Sequence, residues 1–436
     1  MTTTSVVNFD PWNLETADDP YPAFEMLRRQ APVHFVAQRG YWTVARYDDV
    51  YRCMRDTDTF SSDMMYGKQP VLAPTIEELE RDWEPQPEYL VVASDAPPAS
   101  EVKYFQDLLP AIFEMDPPQH NRLRRLLVRP LRPKSTDALE SEIRTACDEL
   151  FDGLAAQVRE NGMALFKSTY ARPLALRITS KLIGVPQKHA PYLGRLAEAT
   201  LGYFALEPDH RREFETAYPE LCGYFEDHLA KHGYQPPEPG EISMINPLRA
   251  PNEGGDEPLS AVELISNAAA LFRGGFETTV NLMSNTMVAL LDNPDQLAQL
   301  NDDLSLAGAA AEEGMRYDSP VLGVFRVTTR ETQVAGTTIP EGAMVQLLFG
   351  SANRDEAHFQ APAQFRITRP DVADQLAFGH GRHFCLGAPL ARMEATIAFQ
   401  TLLSRVRDLR LAAPAPVYRH AVLRGRKEVP ISFELP

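Results

Sequence analysis

Cysteine is sparse in this chain: four in 436 residues, Cys53, Cys147, Cys222 and Cys385, with no CxxC pair among them. That spacing excludes a zinc-ribbon type of site and offers no disulfide framework, so each is expected as a free thiol. Positive charge is also short. Lys and Arg total 43 against 60 Asp and Glu, a formal net charge of −17. An acidic surface repels phosphate backbones and argues against a nucleic-acid partner. No apolar run approaches the roughly 18 residues of a membrane-spanning helix. The opening Met1-Thr2-Thr3-Thr4-Ser5 lacks the basic-then-apolar order of a signal peptide. The expectation is a cytoplasmic protein with neither membrane nor nucleic acid as partner. No internal repeat or long polar run marks a boundary, so residues 1–436 are expected as one large domain, with 1–18 an irregular N-terminal segment.

Proline, by contrast, is plentiful at 36 residues, and it punctuates helices: Ala96-Pro97-Pro98, Pro117-Pro118 and Gln235-Pro236-Pro237-Glu238-Pro239 are loops. Between them the apolar spacing is mostly helical, over 19–30, 48–55, 120–128 and 136–160. The longest helix is expected over 260–291, opened by Ser260 and Glu263 as a capping box and stopped before Pro294. Short β-rich runs fall at 33–36, 41–45, 325–329, 344–348 and 429–433. The sum is a mainly α protein with small peripheral β-sheets. Residues 61–118 form a long irregular stretch carrying Tyr66, Trp83, Tyr89, Tyr104 and Phe105, and are expected to cover a substrate.

Cys53, Cys147 and Cys222 are expected in or near helices as small hydrophobes. Cys385 differs. It lies in Phe378-Gly379-His380-Gly381-Arg382-His383-Phe384-Cys385-Leu386-Gly387, and a helical pattern follows it through Leu390, Met393, Glu394 and Ile397. Its sulfur therefore precedes a helix N-terminus, where backbone N–H groups and the positive dipole end favour thiolate over thiol. The glycines permit close approach of the backbone to a flat object.

This segment closely resembles the cysteine-ligand signature of the cytochromes P450, and the resemblance extends from about residue 20 to about 430. It implies that Cys385 is the axial ligand of the iron of haem b (iron protoporphyrin IX), that Phe378 packs beside the sulfur, that Gly387 belongs to the same cradle and that His383 reaches a propionate. Glu313 and Arg316 share one helix face at i and i+3, 69 residues before Cys385. They resemble the family's structural ExxR pair, held to an Arg or His before the thiolate loop. His120 and Arg124, at i and i+4, resemble HxxxR and are assigned to the propionates with Arg326.

In the long helix, Gly274-Gly275-Phe276-Glu277-Thr278-Thr279 resembles the family's acid–alcohol segment. The resemblance makes Glu277 and Thr278 the proton-handling pair, and Gly274 a point of close backbone approach to the cofactor. Two departures stand out. Gln375 replaces a frequent His. Arg273 stands where the family usually carries an apolar residue, and a buried guanidinium there demands a substrate anion or an internal acidic partner. Ala269, Ala270, Arg273, Val321, Leu322, Val324 and Val422 are the expected substrate-pocket residues.

The activity implied is insertion of one oxygen atom of O2 into a small organic substrate by hydroxylation, epoxidation or dealkylation. Electrons would come from a separate ferredoxin-type or flavin-containing protein. The basic cluster Arg122, Arg125, Arg129, Arg132 and Lys134 is the expected docking site. A peroxide-driven peroxygenase and a non-enzymatic haem binder or sensor are the alternatives. The acid–alcohol pair argues against both.

Overall fold

The computed structural model describes residues 9–63, 75–81, 111–131, 133–232 and 257–436. The chain opens with helices α1 (Leu14–Asp18) and α2 (Tyr21–Gln30), strands β1 (Val33–Val36) and β2 (Tyr41–Val44), and helix α3 (Tyr47–Arg55). The N-terminal segment is thus not irregular throughout. Asn13 Oδ1 accepts the backbone N–H of Glu15 at 2.9 Å, and Ala17 is buried, so a side-chain cap and one apolar anchor support a short helix. Strand β3 (Phe60–Ser61) and helices α4 (Ile76–Arg81), α5 (Gln119–Leu127) and α6 (Pro133–Asn161) follow. Then come β4 (Ala164–Leu165), α7 (Arg172–Ile183), α8 (Ala190–Ala199) and α9 (Pro208–His232).

The helix expected to be longest is α10 (Ala261–Asp292). Its capping box forms: Ser260 Oγ accepts the Glu263 N–H at 3.2 Å, and Glu263 Oε2 accepts the Ser260 N–H at 2.9 Å. The helix is buried from Leu264 almost to its end, because α7, α8, α9, α12 and α14 all pack around it. A helix apolar on nearly every side is stable only in such a setting. Pro294 opens the next helix, α11 (Pro294–Asp302), which precedes α12 (Ala307–Tyr317).

The C-terminal part holds β5 (Val324–Thr328), β6 (Thr332–Val334), β7 (Thr337–Ile339), β8 (Met344–Leu347), α13 (Phe349–Ala352), α14 (Ala388–Leu403), β9 (Arg407–Leu411) and β10 (Pro430–Glu434). One five-stranded sheet runs β1-β2-β8-β5-β3, antiparallel except for the parallel β2–β8 pair, with Val44 opposite Leu347 and Arg326 opposite Val345. A three-stranded sheet runs β4-β10-β9, and β6 pairs with β7. The fold is mainly α with small sheets, as expected. Cys53, Cys147 and Cys222 are buried on α3, α6 and α9.

Two buried ionic clusters hold the distant segments together. Arg316 Nε and Nη2 donate to the two Glu313 oxygens at 2.8 Å, and Arg369 Nε reaches the same carboxylate at 3.1 Å. Arg316 also donates to the carbonyls of Asn353 (2.8 Å) and Pro362 (2.9 Å). The pair therefore clamps the irregular chain that leads to Cys385 onto α12. Its energetic weight lies in completeness, since losing one member of a buried ion pair costs about 3–5 kcal/mol. In the second cluster Asp318 accepts from Tyr21 Oη (2.7 Å), Arg424 Nε (2.5 Å) and Arg426 Nη2 (2.6 Å). It joins α2, the end of α12 and the C-terminal segment.

Candidate active site

Three parts of the chain meet around one cavity of about 370 Å³: the middle of α10, the loop entering α14, and β5. That is within the range of roughly 300–1,000 Å³ common for small-molecule sites. On α10 the row Ala270, Gly274 and Thr278 faces the cavity at i, i+4 spacing, with Arg273 beside it. A Cβ on Gly274 would meet nothing within 4 Å, so this glycine bares helix backbone to the open space. Thr278 Oγ1 donates to the Gly274 carbonyl at 2.7 Å.

Glu277 is not among the cavity-lining residues. It is buried on the other side of α10, with Oε1 3.5 Å from Lys167 Nζ and Oε2 without a hydrogen-bond partner. Burial raises the nearby Glu198 carboxyl to about 7, with Arg172 opposing and the Glu277 charge adding.

In the loop entering α14, Cys385 is exposed and lines the same cavity. Its N–H donates to the Phe378 carbonyl at 2.9 Å, which closes the loop into a cradle; Gly379 and Gly381 take φ of 72° and 71° to make that turn. Burial pushes the thiol up, while the N–H groups of Gly387 and Ala388 and the charges of Arg124 and Arg392 pull it down. Burial wins that balance. The helix terminus alone therefore does not make the thiolate, whereas a coordinated metal cation would.

At one side of the cavity four cationic or cation-capable groups gather: His120, Arg124, Arg326 and His383 all line it. The His120 and His383 ring centroids are 4.2 Å apart. His120 Nε2 and Arg326 Nε are buried without a partner. Burial lowers Arg326 to about 10, with Asp116 opposing, and lowers His383 to about 3, with the Arg326 charge next. Unpaired buried donors of this kind are costly without an anion.

The chain matches the Cytochrome P450 family model over residues 206–409. It is 33% identical over 425 residues to the cytochrome P450 monooxygenase PikC of Streptomyces venezuelae, covering 96% of this chain and 92% of that protein. The chain belongs to the cytochrome P450 family. Two solved structures agree with this P450 along nearly the whole length. Cytochrome P450 CYP109Q5 from Chondromyces apiculatus superposes with a TM-score of 0.81 at 29% identity, covering 99% of each chain. Cytochrome P450 CREJ in complex with (4-ethylphenyl) dihydrogen phosphate gives 0.82 at 26% identity, covering 98% of this chain and 99% of that one. This chain is a cytochrome P450 monooxygenase, an oxidoreductase of a haem-containing family.

The residues present fit haem. The orphaned donors of His120 and Arg326, with Arg124 and His383, match the two carboxylates of its edge. The accessible Cys385 and the bare backbone of Gly274 line the same cavity, which leaves room there for a bulky cofactor.

Three expected pocket residues of the P450, Leu322, Val422 and Ala269, lie elsewhere. Leu322 is buried in the sheet-side core with Phe24, Phe325 and Val327, and Val422 packs against that same core. Extended chain sends successive side chains to opposite sides. Val321 bridges to Leu423 across two extended segments, and these two line the cavity while their neighbours turn away. Val324 and Arg326 of β5 face the cavity for the same reason. Ala269 faces the helical core, and Gln375 donates to Glu312 Oε2 at 3.2 Å instead of entering the cavity.

Most of the expected covering stretch, residues 64–74 and 82–110 with Tyr66, Trp83, Tyr89, Tyr104 and Phe105, lies outside the described residues. Ile112 and Phe113 at its end line the cavity. Leu201, Leu423 and Glu394 were missed by sequence reasoning. Glu394 also lines the cavity, nine residues after Cys385. Its Oε2 has no partner, and burial holds its carboxyl well above the usual range. An acidic residue on an otherwise apolar helix face was its one sequence signal.

Proposed function

We propose that this P450 inserts one oxygen atom of O2 into a C–H bond of a small organic molecule. The second oxygen atom leaves as water, with two electrons from a separate ferredoxin-type or flavin-containing protein and two protons from solvent. The observation that carries the reading is that Cys385 and Thr278, from two separate elements, line one cavity. When bound, haem b would supply the redox chemistry that activates dioxygen, with the Cys385 thiolate as the group that would hold it.

The chain's own residues do the rest. Cys385 holds the iron, and the hydrogen bond from its N–H to Phe378 fixes the loop around the sulfur. His120, Arg124, Arg326 and His383 would hold the cofactor's carboxylates. Thr278 offers a hydroxyl on the substrate side, and Gly274 leaves room beside it. Glu277 is held behind the helix by Lys167, off the cavity wall, and its carboxylate would relay solvent protons toward the cavity through water, not by direct contact. Val321, Val324, Ala270 and Leu423 give the substrate apolar walls.

The whole chain, 1–436, acts as one haem domain in the cytoplasm. Among the described residues no helix is long and apolar enough to cross a membrane. Electron-partner docking is assigned to the basic cluster Arg122, Arg125, Arg129, Arg132 and Lys134, of which Arg122 is paired with Glu263.

The deciding experiment uses the purified haem protein, reduced and exposed to carbon monoxide. The wild type should show the red-shifted absorption of thiolate ligation, and Cys385→Ser should lose it. Persistence of that band in the variant removes the basis of the assignment. Turnover sustained better by peroxide than by a reduced ferredoxin would instead favour the peroxygenase.

A further inference from the structure

Arg273 lines the cavity on α10, five residues before Thr278. Its guanidinium carbon stands 5.3 Å from the Phe113 ring centroid and 5.7 Å from that of Tyr218. Aromatic faces attract the cation but accept none of its five N–H donors in the plane of the fork. Among the described residues no carboxylate lies within ion-pair distance of it. The acid nearest this corner, Glu114, bears on the Tyr218 hydroxyl, and its own Oε2 is taken by the Ala111 N–H at 3.1 Å. Among the described residues, then, two aromatic rings and not an acidic partner hold Arg273. Two rings hold the side chain in place and leave its donor edge for something else.

The surroundings limit what that is. Ile112, Leu182, Leu201, Ala270 and Leu271 line the same cavity and are apolar. With Arg124, Arg326, His120 and His383 committed to the cofactor's carboxylates, Arg273 is left among the described lining as the cation beside these apolar residues, and that pairing recognises a molecule with one anionic group and an apolar body. A planar fork matches a carboxylate or a phosphate monoester best, because both can accept two parallel N–H bonds. The distance along the helix then fixes the point of attack. Five residues at ~1.5 Å per residue put Arg273 about 7.5 Å along the helix axis from Thr278, so an anion held by Arg273 would lie a corresponding distance from the Thr278 hydroxyl.

We infer that Arg273 is the specificity-determining residue of this site and that the substrate is an amphiphilic anion, a carboxylate or a phosphate monoester, oxidised on its apolar body away from the charged end. The inference rests on the monooxygenase reading of the cavity and adds the substrate class.

The test is direct binding, by calorimetry and by haem absorbance, to the haem-loaded protein. Dodecanoate and dodecyl phosphate are each compared with an uncharged counterpart, dodecanamide and dodecanol. At least one anion should bind the wild type roughly tenfold to a hundredfold more tightly than its counterpart, the range set by one charge-assisted contact. Which of the two does so distinguishes carboxylate from phosphate. Arg273→Leu should erase the preference while keeping affinity for the uncharged ligands, and Arg273→Lys should keep part of it. Equal or absent binding of both anions by the wild type, or a preference that survives Arg273→Leu, overturns the inference. The carbon monoxide spectrum of each variant checks the haem site independently. If Arg273→Leu fails to retain haem, Arg273→Gln carries the same comparison. Should the wild type itself lack the thiolate spectrum, the monooxygenase reading fails, and calorimetry alone still decides whether Arg273 binds anions.

Discussion

Glu277 and Thr278 are neighbours in the chain that serve opposite sides of α10: Thr278 Oγ1 donates to the Gly274 carbonyl inside the cavity, while Glu277 pairs with Lys167 at 3.5 Å behind it. Their substitution should therefore have separable effects. Thr278→Val removes the hydroxyl beside the site of oxygen chemistry, so product per O2 consumed should fall and hydrogen peroxide should rise with little change in stability. Glu277→Gln removes the carboxylate proposed to relay protons, with an expected rate loss on the order of 100-fold, and it also leaves the Lys167 charge without its partner, so the melting temperature should drop. Peroxide yield and thermal melts on both variants check this. A Thr278→Val enzyme that remains fully coupled contradicts the assignment.

Asp318 provides an acid-sensitive lock. It is buried, and although burial alone would raise its carboxyl, Arg424 and Arg426 hold it well below the usual carboxylate range. A carboxylate depressed in the folded state contributes stability that is fully present above its unfolded value of about 3.9 and is lost as pH falls toward its folded value. Asp318→Asn should cost about 3–5 kcal/mol at neutral pH, because two buried guanidinium groups lose their anion. It should also flatten the stability profile below about pH 4. Denaturant titrations across that window measure both. Equal acid sensitivity in the variant and the wild type would exclude Asp318 as the source.

Glu394 carries the opposite sign. Burial holds its carboxyl well above the usual range, so the folded protein keeps a proton that the unfolded chain gives up above about pH 4.3. Unfolding then releases a proton across the neutral range, and stability declines as pH rises. Glu394→Gln, a neutral side chain of the same shape, should remove that decline: its stability relative to the wild type should grow from about pH 5 to about pH 8 and vanish below about pH 4. Parallel urea curves at these values are the measurement. A variant that loses ground at high pH would mean that Glu394 is ionised and paired.

Gly314 is packed so tightly against α10 that a Cβ there would overlap the Thr286 side chain. Gly314→Ala should force α12 away from α10 and cost about 1–3 kcal/mol through overpacking. Because α12 carries Glu313 and Arg316, haem retention should weaken with it. Thr286→Ala should restore part of both losses by removing the obstructing atoms. Failure of that double variant to recover would place the strain elsewhere.

Much of the fold and of the site was legible in the sequence, for identifiable reasons. The capping box at Ser260 and Glu263 forms as read, because both hydrogen bonds are local. The Glu313–Arg316 pair meets at 2.8 Å because i, i+3 spacing places the two on one helix face. The loop from Phe378 to Gly387 could be read because its glycines and its cysteine form one contiguous segment. The short helix α1 escaped notice because five residues carry too little periodicity to register against a polar background. Leu322 and Val422 were misassigned because alternation along an extended segment reveals that neighbours diverge, not which of them faces a cavity.

Sequence by itself determined the elements, their caps, the ligand-bearing loop and the family, because these depend on residues within a few positions of one another. Tertiary structure alone decided which flank of α10 meets the cavity, that His120, Arg124, Arg326 and His383 converge from separate elements, and that Arg273 rests between Phe113 and Tyr218 instead of against an acid. Those outcomes come from packing between segments tens to hundreds of residues apart, where shape and burial select the partner and local pattern carries no trace of the choice.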